Sequence, residues 1–175
     1  MNMLTVCALV CTIVALAGSA VLPERKAESN ERDTATTHLI ERSSGCDDGW
    51  SEFNRRCFYH VSERMTWSVA EKNCISLGGH LASVHNILEY HELQRLILSG
   101  SHQYIETWIG GYDTQGINHW FWSDGTTVHF TNWCPAEPDN YGGHQHCLQM
   151  NYGVGNCWDD TECYALKPSV CAKNM

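Results

Sequence analysis

The sequence predicts an α+β domain held together by four disulfides. Two amphipathic helical stretches are followed by a run of short strand-like segments, an order that argues for α+β architecture. Eight of the ten cysteines and all seven tryptophans lie between Cys46 and Cys171, which marks the folded unit.

Residues 1–20 carry no Asp, Glu, Lys or Arg. Within them, Leu4 to Ala17 is an apolar run followed by the small residues Gly18-Ser19-Ala20, the pattern of a signal peptide and its cleavage site. The run is too short to span a bilayer comfortably, so a secreted protein without membrane insertion is expected. Cys7 and Cys11 leave with that segment. Cys46, Cys57, Cys74, Cys134, Cys147, Cys157, Cys163 and Cys171 remain, an even set that argues for four disulfides in an oxidising compartment. Counting alone leaves 105 pairings open. Residues 21–45 are polar and charged, contain no aromatic and read as a flexible leader or propeptide. The domain itself is expected over 46–173.

The formal charge of −9 excludes nucleic acid and anionic membrane as partners, because both require clustered Lys and Arg. No Asn-x-Ser/Thr triplet occurs. Neither Gly-x-Ser-x-Gly nor His-Glu-x-x-His is present, and oxidised thiols offer no nucleophile, so no enzyme is expected.

The first helix is expected over Trp67 to Leu77. Thr66 stands at its N-cap, Trp67, Ala70, Cys74 and Leu77 share one face, and Gly78-Gly79 stops it. The second runs from about Asn86 to Leu98, with Asn86 as cap, Glu89 at the third position and Gly100 just past its end. Trp108-Ile109, Trp120 to Trp122, Thr126 to Phe130 and Cys147 to Tyr152 are strand candidates, separated by Asp, Asn and Gly.

Several short motifs then fall in one order: Cys57-Phe58-Tyr59, Gly79-His80-Leu81-Ala82-Ser83-Val84, Trp108-Ile109-Gly110-Gly111, Trp122-Ser123-Asp124-Gly125, Asn132-Trp133, Glu137-Pro138-Asp139-Asn140 and Cys157-Trp158-Asp159-Asp160. This series resembles the C-type lectin domain over essentially all of Cys46 to Cys171. It is most similar to secreted fish lectins and fish type II antifreeze proteins. The resemblance implies two helices, short antiparallel strands, a long loop region and the pairs Cys46–Cys57, Cys74–Cys171, Cys134–Cys157 and Cys147–Cys163. The antifreeze proteins carry a further disulfide. Where one of its cysteines would fall this chain has His146, a departure that favours the lectin reading.

The resemblance also implies a calcium site. Matched residue by residue, the ligands are Glu137, Asp139, Gln145, Asp159 and Asp160, oxygen donors of the kind calcium takes six to eight of. Pro138 matches the family's cis proline. The mannose-type motif of the family is Glu-Pro-Asn and the galactose-type motif is Gln-Pro-Asp; this chain has Glu-Pro-Asp. Gln145 replaces the usual Glu, and Asp159-Asp160 replaces Asn-Asp. Four of the five ligand positions are therefore anionic, and the Gln145 amide is expected to supply the hydrogen-bond donor missing from the proline motif. Sugar hydroxyls would complete the calcium shell and bond to Glu137, Asp139, Gln145 and Asp159. Tyr141 stands where galactose-type members carry a stacking Trp.

The function implied is a secreted, calcium-dependent lectin for galactose-containing glycans, acting in innate recognition. Ice binding and metal-free protein binding on the same fold are the alternatives. His144 and His146 near Asp159 offer a zinc reading. With every domain cysteine paired internally, any homo-oligomer is expected to be non-covalent.

Overall fold

The computed structural model describes residues 45–114 and 119–175. The expected signal peptide (1–20) and, apart from Gly45, the expected leader (21–45) lie outside them. The described chain runs β1 (Ser51–Phe53), β2 (Arg56–Met65), α1 (Trp67–Ser76), β3 (His80–Leu81), α2 (Ile87–Ser101), β4 (Thr107–Asp113), β5 (Trp120–Trp122), β6 (Gln145–Tyr152), β7 (Cys157–Glu162) and β8 (Lys167–Asn174). The strands form one sheet in the order β1-β2-β8-β4-β6-β7, with β3 on β8 and β5 on β4. The β4–β8 contact, Trp108 opposite Ser169, is parallel; the other pairs are antiparallel.

Helix α1 buries Ala70 and Cys74. Gly78 takes φ +84°, its N–H donates to Ile75 O, and Gly79 N–H donates to Cys74 O, closing the helix with a Schellman motif. Gly79 serves a second purpose: a Cβ there would lie 2.3 Å from Ala172 O on β8. Thr66 occupies the N-cap but makes no side-chain capping bond.

Helix α2 starts at a working cap. Asn86 Oδ1 accepts from Leu88 N and Glu89 N, both at 3.0 Å. The Glu89 carboxylate reaches back to His85 N at 2.8 Å and pairs with Arg56 Nη1 at 3.1 Å. The helix runs on through Gly100 to Ser101, beyond the expected end, and His102 closes it at φ +60°. Gly100 is small for a packing reason, since a Cβ would meet the His60 ring at 2.8 Å.

Thr126 to Phe130 is not a strand. Its alternation arises because Val128 and Phe130 pack against the core without pairing in the sheet. Strands β1, β2, β3, β7 and β8 form outside the segments expected as strands.

The disulfides join Cys46–Cys57, Cys74–Cys171, Cys134–Cys157 and Cys147–Cys163. One core cluster surrounds Trp108 and the Cys74–Cys171 bridge; the other surrounds Trp122 and Trp158. Trp158 is fully buried and meets Trp122, Phe130 and Trp133 edge-on, with centroids 5.6 to 5.7 Å apart. That packing anchors the start of β7 and so places the two residues after it, Asp159 and Asp160.

Candidate functional site

The segment 132–134 is laced to β7. Trp158 N donates to Asn132 O at 2.8 Å, Cys134 N donates to Trp158 O at 2.9 Å, and Cys134 is bonded to Cys157. From this anchor the chain projects a loop that returns to β6. The Glu137–Pro138 bond is cis. Beyond it, Asp139 N and Asn140 N donate to Asp160 Oδ1 and Oδ2 at 3.0 and 2.8 Å. Asn140 is left-handed (φ +45°), and its Oδ1 accepts from Gln145 N at 3.0 Å. Tyr141 N points at two acceptors, Asp139 Oδ1 at 2.9 Å and Gln145 Oε1 at 2.6 Å. A single short turn, Tyr141–Gly143, completes the loop.

This arrangement gathers negative charge. One carboxylate oxygen each from Glu137, Asp139 and Asp160 lies within 4.8 Å of the others. Burial, then the charges of Asp139 and Asp160, hold the Glu137 carboxyl above its ordinary range. Burial raises Asp160 as well, against the N–H donors of Asn140 and Asp139. Asp159 is pushed up to about 7, chiefly by burial; the bond from Gln149 Nε2 at 2.6 Å opposes this, and the charges of Glu137 and Asp160 add to it. Glu137 Oε2 is buried with no hydrogen-bond partner. Crowded, partly desolvated oxygen donors with an unused acceptor suit a hard divalent cation, so the residues present fit calcium.

Of the five expected ligands, Glu137, Asp139 and Asp160 come together directly. Asp159 lies close enough to Glu137 for the Glu137 charge to help raise it. Gln145 joins through the loop: its oxygen accepts from Tyr141 N, which leaves the NH₂ end as the donor. Tyr141 is 77% exposed. Among the described residues, the metal-capable cluster consists of the three carboxylates and includes neither His144 nor His146, so the zinc reading gains no geometric support. Two contributors were missed. Asn140 ties the loop to both β6 and β7, and an Asn between turn residues is a signal for a left-handed position. Gln149 is a polar residue inside the apolar run Cys147-Leu148-Gln149-Met150, and that interruption was its signal.

The Lectin C-type domain matches residues 63–173. Ladderlectin of Oncorhynchus mykiss is 38% identical over 187 aligned positions, covering 100% of this chain and 96% of that protein. The galactose-specific lectin nattectin of Thalassophryne nattereri is 37% identical over 133 positions, 76% of this chain and 83% of that protein. A solved structure of a Ca²⁺-dependent type II antifreeze protein in its Ca²⁺-free form is 39% identical and superposes with a TM-score of 0.68, covering 74% of this chain and 100% of that one.

Proposed function

Because the chain belongs to the C-type lectin domain family, we propose that it is a secreted, calcium-dependent lectin for galactose-containing glycans. The observation that carries this reading is the convergence of the Glu137, Asp139 and Asp160 carboxylates within 4.8 Å beside an exposed Tyr141 ring. Glu137, Asp139, Gln145, Asp159 and Asp160 hold the ion. When bound, calcium supplies coordination positions that two neighbouring sugar hydroxyls fill. Glu137, Asp139, Gln145 and Asp159 bond to those hydroxyls, with the Gln145 amide as the donor. The Tyr141 ring covers the apolar face of the hexose.

Tyr141, Asp139 and the similarity to a galactose-specific lectin favour galactose over mannose. The protein binds and does no chemistry on its ligand. One shallow site is weak, so useful avidity comes from clustered glycans or a non-covalent oligomer. Recognition of microbial or host glycans in innate defence fits such a molecule.

Retention on galactose–agarose in calcium, release by EDTA, and weaker sugar but unchanged calcium binding in Tyr141→Ala are the expected results. A column that passes the protein equally in calcium and in EDTA overturns the reading. The similarity to a type II antifreeze protein supports a second reading, ice binding on the same scaffold. Thermal hysteresis that galactose leaves unchanged, with no retention on the column, would select it.

A further inference from the structure

We infer that Gln149 is a positioning residue of the calcium site, holding the Asp159 carboxylate in place from the neighbouring strand. The inference rests on the calcium reading above. In the antiparallel β6–β7 pair Gln149 lies opposite Asp159. Both are almost fully buried, at 2% and 5% exposure. Gln149 Nε2 donates to Asp159 Oδ2 at 2.6 Å. At its other end, Gln149 Oε1 is buried with no hydrogen-bond partner.

An apolar side chain at the centre of this strand would avoid desolvating an amide. Its flanking residues Leu148 and Met150 are apolar and fully buried, so the position is otherwise a core position. The contact with Asp159 accounts for the amide. A hydrogen bond to an ionised carboxylate is roughly twice as strong as one between neutral groups. Engaging Oδ2 also leaves Oδ1 as the oxygen free to serve the ion and its ligand. The neutrality of the donor matters. A Lys or Arg could grip the same carboxylate, but its positive charge would oppose a divalent cation beside Glu137 and Asp160. An amide fixes the ligand without that repulsion.

The test uses the full domain with its disulfides intact. Calcium binding is measured by calorimetry, and metal-free stability by urea denaturation. Gln149→Met keeps the shape and removes the donor; its calcium affinity is expected to fall about tenfold or more, the usual effect of losing a partner behind a metal ligand. In an Asp159→Asn background the bond is no longer charge-assisted, so the same substitution should cost distinctly less. Gln149→Lys is the second variant. It retains a donor, so its metal-free stability should equal or exceed that of the wild type while calcium affinity drops. In the metal-free wild type, a Gln149 side-chain NH₂ proton should resonate downfield by NMR and shift in Asp159→Asn. Folded Gln149→Met or Gln149→Lys with wild-type calcium affinity overturns this role alone, as does an equal loss in both Asp159 backgrounds. A wild type that binds no calcium overturns the site reading and this role with it.

Discussion

Replacing Asp159 with Asn should stabilise the metal-free protein at neutral and alkaline pH, although it exchanges an anionic proposed ligand for a neutral one. Burial, reinforced by the charges of Glu137 and Asp160, pushes the Asp159 carboxyl from 3.8 up to about 7. In that direction the folded state binds more protons than the unfolded state between about pH 4 and 7. The associated stability is present below the unfolded value and is lost as pH rises through the folded one. A gap of about three pKa units at 1.36 kcal/mol each is up to about 4 kcal/mol above pH 7. Because the charges of Glu137 and Asp160 act on Asp159, a substitution at Asp159 reports the relief of all three carboxyls.

Asp159→Asn keeps the shape and an acceptor for Gln149 but removes the charge. In EDTA it should therefore be about 2–4 kcal/mol more stable than wild type at pH 8 and close to it at pH 4. Urea denaturation followed by tryptophan fluorescence at the two pH values gives the difference directly, and common titrations cancel in it. With saturating calcium the order should narrow or reverse, because the ion binds the deprotonated set and stabilises the folded state by mass action. A mutant and wild type separated by the same margin at pH 4 and pH 8 would refute the claim that a buried, crowded charge is responsible.

Three further substitutions test the scaffold. Gly79→Ala puts a Cβ 2.3 Å from Ala172 O and should cost about 1–3 kcal/mol of stability by urea denaturation. Asn86→Ala removes the acceptor for Leu88 N and Glu89 N and should cost about 1 kcal/mol, lowering the melting temperature without changing calcium affinity. Converting Cys74 and Cys171 to alanine opens a loop of 97 residues, against 23 for Cys134 and Cys157. The chain-entropy relation gives about 4.7 and about 3.4 kcal/mol respectively, so the first double mutant should be the less stable by denaturation.

The helices were legible because their periodicity and end signals sit together in the chain. Asn86 with Glu89 three residues on, and Gly78-Gly79 after Leu77, mark ends that the backbone uses. Gly100 misled for the same local reason: it reads as a stop, whereas the close approach of His60 from β2 requires it. The strand β8 escaped notice because it is central. Pro168 to Ala172 are all buried, and a strand covered on both faces shows no alternation. Thr126 to Phe130 shows the converse, alternation without a partner strand.

The site divides along the same line. The carboxylates proposed as ligands, Glu137, Asp139, Asp159 and Asp160, stand out in the sequence because a carboxylate carries its chemistry wherever the fold puts it. Asn140 and Gln149 become meaningful only when β6 and β7 lie side by side. The loop adds a coupling that no triplet can spell. Tyr141 N donates to both Asp139 Oδ1 and Gln145 Oε1, so the residue bearing the exposed ring is tied to two proposed ligands through its own backbone. Changing Asp139 or Gln145 therefore disturbs the position of the ring as well as the oxygen set. On the proposed reading, a sugar preference would rest on the hydrogen-bonded loop from Glu137 to Gln145 as a unit rather than on Glu-Pro-Asp alone. Grafting the three residues alone into another loop should therefore transfer calcium ligands without transferring the placement of the ring.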